Sequence, residues 1–190
     1  MKKKEKFYFK NQINLQKKFD GQKVAEALKK YRVYSKLEPR HKVLIKKSRL
    51  FVISSIGKKY PDCSIKSGLP GFVKINGNNS IQWNDYDGNR MYRTLGNISY
   101  NNKVSLLFLD IEAPEKKERP DYPTKLRILG KATIFTNKKK RITIKVKISF
   151  VFPNCPRYLP NYKFMSSSTY LLKKKIPEWK KRSYIKDILD

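Results

Sequence analysis

The chain has 190 residues, of which 39% are hydrophobic, and its 45 lysine and arginine residues against 15 aspartate and glutamate residues give a formal net charge of +30. This length fits one domain, and the hydrophobic content excludes an intrinsically disordered chain. Two cysteines and one histidine are too few for a disulfide framework or for a zinc site, which usually needs four cysteine and histidine ligands.

The positive charge has two interpretations. A charge of this size is typical of proteins that bind nucleic acid or another polyanion. However, the lysines are scattered from Lys2 to Lys186, and asparagine and isoleucine are also abundant, as A/T-rich codons would produce. We therefore expect a solvated basic surface without a nucleic-acid partner. Because the sequence has neither a long apolar run nor a signal peptide, we expect no membrane association and a cytoplasmic location.

The first quarter of the chain predicts helices. Asp20 is a candidate N-cap for a helix that runs through Val24 and Tyr31. A second helix is expected from about Pro39 to Ser48, since proline is tolerated in the first helical turn.

Strand signals dominate the rest of the chain up to the last third. Asn76–Asn79 marks a hairpin turn, residues 85–100 predict a loop that leads into a short helix, and Glu112–Pro123 predicts a loop. The runs that predict strands are Leu50–Ile56, Asp62–Lys66, Gly71–Ile75, Ser80–Trp83, Val104–Ile111, Leu126–Phe135 and Arg141–Val151. In the last of these, isoleucine and valine alternate with threonine and lysine, which is typical of a half-buried strand. Six or seven strands with short helices predict a closed or split antiparallel barrel.

Two segments have residues that could bind an anion. Asn84–Met91 contains a glycine and leads from a strand toward a helix, so its backbone N–H groups could face a phosphate, with Arg90 adding a bidentate contact. On the strand Asp62–Lys66, Ser64 and Lys66 point to the same face and suit a phosphate or an anionic ring edge. Taken alone, each pattern is more typical of a solvated turn or an exposed serine–lysine pair.

A third segment, Asn154–Tyr158, directly follows the last strand. Cys155 stands two residues before Arg157 and could be a nucleophile. No spaced histidine or second cysteine supports that role, which favours a cysteine that packs near a ligand or is simply buried. His41 lies among charged residues on a predicted helix, which favours a surface or capping histidine. Both tryptophans are expected to be packing residues.

Taken together and in order, these segments resemble the pyridoxamine 5'-phosphate oxidase-like superfamily, the FMN-binding split barrels. The resemblance covers most of residues 15–180, and the ordered set of motifs is more specific than any one of them. The similar stretches are Leu15–Asp20 with Leu28, Phe51–Ser55, Pro61–Val73, Trp83–Ile98, Val104–Asp110, Leu126–Ala132 and Asn154–Tyr158.

The resemblance implies a fold that is mainly β with short helices, a six-stranded Greek-key split barrel. One domain would span residues 1–190, with the barrel core at about 37–153, an N-terminal helical arm at 1–36 and a C-terminal arm at 154–190. Members of this family form homodimers with the cofactor sites at the interface. The two arms could therefore cover the active site or reinforce the dimer.

The resemblance also implies which residues contact FMN, in three groups. Ser64 and Lys66 lie on the strand that runs along the flavin. Asn89, Arg90 and Met91 lie in the loop and helix start that hold the phosphate. Cys155, Arg157 and Tyr158 belong to a C-terminal motif near the flavin or substrate. Arg93 is an alternative phosphate ligand, because the alignment of this loop needs a small gap.

By this resemblance the chain is an FMN-dependent oxidoreductase that acts on a small substrate by hydride or electron transfer. A flavin needs no ionisable protein nucleophile, which suits a sequence poor in histidine and cysteine. Authentic pyridoxamine phosphate oxidases end in an Arg-x-His substrate clamp, and this chain has no histidine there. The resemblance therefore does not identify the substrate. The alternatives are a non-catalytic flavin-binding or redox-sensing module, and a basic polyanion- or nucleic-acid-binding protein. A deazaflavin or haem in place of FMN is a further variant.

Overall fold

The computed structural model describes residues 6–86, 88–110, 124–155, 159–160, 162–173 and 176–189. The strands within them are β1 (Leu50–Ile56), β2 (Pro61–Ser67), β3 (Lys74–Asn76), β4 (Ser80–Asp85), β5 (Lys103–Leu109), β6 (Lys125–Thr136) and β7 (Ile142–Pro153). The helices are α1 (Lys10–Lys18), α2 (Gln22–Arg32), α3 (Pro39–Lys47), α4 (Arg93–Tyr100), α5 (Thr169–Lys173) and α6 (Ser183–Leu189), with a 3₁₀ turn at Glu178–Lys181. None of the helices in these residues combines the length and apolar character that a membrane span needs.

All seven strands belong to one antiparallel sheet in the order β2-β1-β5-β6-β7-β4-β3. This mainly antiparallel sheet with several helices is consistent with a split barrel. The described residues form seven strands where the family resemblance implies six, because the three-residue β3 pairs with β4 across the predicted hairpin turn. Six of the seven predicted strands are confirmed to within two residues at each end.

The alternation of side chains along the strands explains where the core lies. In β1, Phe51 and Ile53 are buried on the inner face, and the alternating Val52 and Ser54 are half-buried on the outer face. In β7, Ile144 and Val146 are buried while Lys145 between them is exposed, which confirms the predicted alternation. Strands β1 and β7 therefore each contribute one apolar face to the same interior.

Aromatic rings fill the centre of this interior. The Phe51 ring lies 4.9 Å from Trp83 and 5.0 Å from Phe108, measured between ring centroids, and stacks on Phe72 at 5.9 Å. Phe51, Phe108 and Trp83 are each at most 2% exposed. Trp83 thus packs as expected, whereas Trp179 in the C-terminal arm is half-buried. Because one face of the sheet encloses these rings, the sheet curls around them.

A bulge in the longest strand pair helps the sheet to curl. The register between β6 and β7 shifts at Leu129/Gly130. A Cβ atom on Gly130 would collide with the Lys147 carbonyl oxygen, so only glycine allows the two backbones to approach this closely. Bulges of this kind bend a strand and increase its twist.

Two local predictions are wrong for the same reason, a left-handed residue at a chain reversal. Asp20 does not cap α2: its φ is +52°, in the turn between α1 and α2, and Gly21 is the N-cap residue. The strand predicted from Gly71 begins only at Lys74, since Gly71 has φ +81° and donates its N–H to the Lys46 carbonyl at 2.8 Å. The predicted loop at Glu112–Pro123 lies outside the described residues.

His41 is a capping residue, as expected, but it is fully buried rather than at the surface. Its Nδ1 accepts a hydrogen bond from the Glu38 backbone N–H at 3.1 Å, at the start of α3. The imidazole packs edge-on against Tyr34, and its Nε2 is buried without a hydrogen-bond partner. Burial, followed by the nearby charges of Arg40 and Arg32, lowers the pKa of His41 from 6.5 to about 4.

This pKa predicts an acid-sensitive fold. Since the folded-state pKa lies below the unfolded value, the unfolded chain binds the extra proton first, and His41 lowers stability as pH falls from about 6.5 toward 4. We expect His41→Asn, which keeps a side-chain acceptor, to flatten this dependence by up to about 1.4 kcal/mol per pH unit. Urea unfolding of the unmodified protein and of His41→Asn at pH 7.5, 6 and 5 measures how the free energy of unfolding of each depends on pH. Identical pH profiles would contradict the assignment.

Candidate functional site

A cleft of about 650 Å³ opens where one edge strand of the curled sheet faces the loop before α4. Its walls come from β2, the end of β4, the segment that leads into α4, and the turn between β6 and β7. Six of the nine candidate residues line it: Ser64, Lys66, Asn89, Arg90, Met91 and Arg93. Segments separated in sequence thus meet in one place.

Strand β2 contributes the floor of the cleft. Ser64 and Lys66 are half-buried and pair in register with Ile53 and Phe51 of β1, so they share the inner face, as the alternation predicts. Cys63, the residue before Ser64, is exposed on the outer face. Because β2 is the edge of the sheet, its inner-face side chains reach the cleft.

An ion pair joins the two ends of the sheet at this point. The Lys66 ammonium lies 2.7 Å from the Asp85 carboxylate at the end of β4, and the two side chains are only 19% and 12% exposed. In the sheet order, β2 and β4 are separated by four other strands. The pair therefore bridges the opening of the curled sheet, and its low exposure reduces the screening of the attraction between the two charges by solvent.

The opposite wall is the segment that leads into α4. Asn89 fixes its conformation by accepting a hydrogen bond from the Met91 N–H at 3.0 Å. Arg90 and Tyr92 both adopt left-handed backbone conformations, with φ of +59° and +52°. Such conformations are unfavourable for residues other than glycine, and they are enriched at functional sites.

Helix α4 begins at the cleft with an uncapped N-terminus. Its N-cap residue, Tyr92, makes no side-chain capping hydrogen bond, and the first turn contains no acidic residue. The buried Thr94 and Leu95 fix this end of the helix in the core, and Asn97 donates a hydrogen bond to Ser55 of β1 at 3.2 Å. The first N–H groups and the positive end of the helix dipole are thus available to an anion.

The charges that line the cleft are predominantly positive. Its lining contains two acidic residues and five basic ones, a net charge of +3. Asp85 is paired with Lys66, and Asp62 lies 3.4 Å from the guanidinium of Arg93. That second pair is weaker, because the Arg93 side chain is 57% exposed. Both carboxylates are therefore neutralised by neighbours, and the cleft is suited to bind an anionic group.

Sequence reasoning missed two of these basic residues, Lys140 and Arg141, which line the cleft from the β6–β7 turn. The signal was the run of four basic residues at 138–141. Only the paired register of β4 with β7, which places Asp85 opposite Ile142, brings that turn beside the cleft.

Of the C-terminal candidates, the structure describes Cys155, which does not line this cleft. Cys155 is exposed, so the alternative of a buried cysteine is wrong, and its contact with a ligand stays a prediction. It lies beyond Pro153, at the end of β7 opposite Ile142, which lines the cleft. Arg157 and Tyr158 lie outside the described residues.

In the described part of the chain, no group of three or more histidine, cysteine, aspartate or glutamate side chains is arranged to hold a metal ion.

Comparison with known proteins gives one family. The family model described as pyridoxamine 5'-phosphate oxidase matches residues 37–169. No curated protein matches the chain in sequence.

Several solved structures resemble the fold at low sequence identity. HutZ, the haem storage protein from Vibrio cholerae, has a TM-score of 0.44 and 11% identity, over 62% of this chain and 94% of that one. An FAD-binding protein from Mesorhizobium loti has a TM-score of 0.42 and 10% sequence identity, over 63% of this chain and 94% of that one. General Stress Protein 26 from Bacillus anthracis has a TM-score of 0.40 and 12% sequence identity, over 58% of this chain and 87% of that one.

The Lys66–Asp85 pair is expected to stabilise the closed sheet measurably. A double-mutant cycle with Lys66→Met and Asp85→Asn should give a coupling energy on the order of 1–2 kcal/mol, between the values of surface and buried pairs. Urea unfolding of the four proteins measures it. The exposed Lys181–Glu178 pair has the same 2.7 Å separation and serves as control, with coupling below about 0.5 kcal/mol. Equal coupling in the two pairs would refute the bridging role.

Proposed function

The chain belongs to the pyridoxamine 5'-phosphate oxidase family, and we propose that it is a flavoprotein that binds FMN in the cleft between β2 and α4. We further propose that it acts as an oxidoreductase on a small substrate. The observation that carries the proposal is the convergence of Ser64, Lys66 and the segment Asn89–Arg93 on one positively charged cleft. When bound, FMN would supply the transfer of a hydride or of electrons.

The donors on the α4 side fit a phosphate monoester. Arg90 makes no ion pair within the described residues, and it lies three residues before the start of α4. A guanidinium and the N–H groups of a helix N-terminus are both favourable partners of a phosphate dianion. Arg93 is the weaker candidate for this role, because its guanidinium already faces Asp62.

The donors on β2 fit the rest of the cofactor. The Ser64 hydroxyl and the Lys66 ammonium share the inner face of the strand and line the cleft floor. Lys66 is held in place by Asp85, so it presents a fixed positive charge. A fixed cation near the pyrimidine edge of the ring would stabilise the reduced, anionic flavin.

The chain's single histidine bears on the choice of cofactor. His41 is fully buried, and its Nδ1 is occupied by the α3 cap. It does not line the cleft, so it is unsuited to ligate a haem iron there. FMN therefore remains the cofactor we propose over a histidine-ligated haem.

We also propose that two copies of the chain pair through the outer face of the sheet, with the cofactor sites at the interface. The register of the strands places Ile65, Val52, Leu107 and Phe152 in one row across β2, β1, β5, β6 and β7, with Arg127 on β6. Phe7 packs on Phe152 at one end of this row. Ile65 at the other end is 66% exposed.

The position of β2 connects this pairing with the cleft. Its inner face contributes Ser64 and Lys66 to the site, and its outer face contributes Ile65 to the apolar row. A second copy that covers Ile65 would therefore stand directly beside the cofactor. Such a copy could supply its own C-terminal segment, including Cys155, to the site.

Arg90 provides the first test. We expect Arg90→Ala to weaken FMN binding by about 1–3 kcal/mol, the range for a lost hydrogen bond to a charged group. Arg90→Gly should lose as much, although glycine relieves the left-handed backbone, because the guanidinium is the group that matters. Fluorescence titration of FMN measures both, with the exposed Arg182→Ala as control. Unchanged affinity in both Arg90 variants would overturn the assignment.

Ile65 provides the test of the pairing. We expect Ile65→Asp to convert the dimer to a monomer, because a buried unpaired carboxylate is strongly unfavourable. Sedimentation velocity measures the mass of each variant. Leu28→Asp, at a residue 51% exposed on the N-terminal arm, is the control and should stay dimeric. A dimer that survives Ile65→Asp and is lost in Leu28→Asp would place the interface on the arm instead.

A further inference from the structure

The turn between β6 and β7 is the most basic segment that reaches the cleft. Residues 138–141 are four consecutive lysine and arginine residues. Lys140 and Arg141 line the cleft, whereas Lys138 and Lys139 do not. The turn therefore contributes one basic pair to the cleft and one to its outer side.

This turn has a fixed shape. The Asn137 carboxamide oxygen accepts hydrogen bonds from the backbone N–H groups of Lys139, at 3.1 Å, and Arg141, at 2.9 Å. The Lys140 N–H donates to the Asn137 carbonyl at 2.9 Å. Side chains at the tip thus start from a preorganised backbone, which lowers the entropic cost of holding a ligand.

Backbone strain marks the same place independently. Four residues other than glycine have positive φ in the described chain, and three of them line this cleft: Arg90, Tyr92 and Lys140, whose φ is +54°. They come from two segments far apart in sequence. Left-handed residues persist where the surrounding structure fixes them, and they cluster at ligand-binding sites.

The charges in the cleft exceed what one phosphate monoester needs. After the Lys66–Asp85 and Arg93–Asp62 pairs are formed, the side chains of Arg90, Lys140 and Arg141 make no ion pair or hydrogen bond in the described residues. Arg90 and the N-terminus of α4 suffice for the FMN phosphate. Lys140 and Arg141 are then left as a second cationic pair in the same cleft.

We propose that Lys140 and Arg141 form a second phosphoryl-binding subsite of this cleft. The inference rests on the proposed function, because it assigns the first phosphoryl group to FMN at Arg90. Two kinds of ligand would carry this second phosphoryl group. It belongs either to a flavin dinucleotide, whose diphosphate spans both subsites, or to a separate phosphorylated co-substrate that binds beside FMN.

Two double variants with equal loss of charge test the proposal. Lys140→Ala with Arg141→Ala removes the pair that lines the cleft, and Lys138→Ala with Lys139→Ala removes the pair outside it. The probes are FMN, FAD, and inorganic pyrophosphate added to the FMN-loaded protein, at about 0.15 M ionic strength to limit long-range effects. Fluorescence titration follows the flavins and calorimetry follows pyrophosphate.

The expected result is selective. The cleft variant should keep FMN affinity within about twofold and lose about tenfold in affinity for FAD or for pyrophosphate, as the loss of a charged partner predicts. A loss of affinity for FAD would show that the ligand is a flavin dinucleotide. A loss of affinity for pyrophosphate alone would show that it is a separate phosphorylated co-substrate. The outer variant should change every affinity by less than about twofold.

Equal behaviour of the two variants toward both FAD and pyrophosphate would overturn the proposal, because the turn would then act only through its overall charge. Failure of the proposed function gives a different result, the absence of FMN and FAD binding by the unmodified protein. In that case, calorimetry with pyrophosphate and the flavin-free protein still decides the question, since only a true subsite makes the two variants differ.

Discussion

The curling of one sheet around an aromatic core is the constraint on which the rest of this structure depends. Phe51, Trp83 and Phe108 occupy the interior, and only a sheet that bends around them can bury them from one face. That bending brings β2 and β4 together although four strands separate them in the sheet. The Lys66–Asp85 pair at 2.7 Å records this approach, and the cleft exists because of it. Core packing and the shape of the cleft are therefore coupled.

The cleft illustrates how a local arrangement differs from a large overall charge. Most lysines of this chain are spread over the surface, where they are solvated and screened. In the cleft, by contrast, both carboxylates are matched with specific cations, and three further cations line the same cleft as the α4 N-terminus. An anion bound there would meet several positive groups at once. Position, rather than the total of +30, is what makes this a candidate phosphate site.

Local patterns predicted most of the sheet from the sequence. The alternation in β1 and β7 and the hairpin at Asn76–Asn79 need only residues close in sequence, and they are confirmed. Features that depend on distant contacts were not predictable in this way. His41 is buried because Tyr34 covers it, and Gly71 leaves the strand because its N–H binds the Lys46 carbonyl.

The same distinction holds for the site. The resemblance to a family pointed to six residues that the structure places in one cleft, including Ser64 and Arg90. It gave no indication of Lys140 and Arg141, because their turn reaches the cleft only through the pairing of β4 with β7. The exposure of Cys155 could likewise not be predicted from the sequence, since it depends on where β7 ends.

We propose that this cleft holds a flavin by its phosphate. Equilibrium dialysis tests this by comparing the affinity of the purified protein for FMN with its affinity for riboflavin, which lacks only that phosphate. One FMN should bind per chain, at least about tenfold more tightly than riboflavin, as expected for the loss of charge-assisted hydrogen bonds. Equal affinity for the two, or retention of neither, would contradict it.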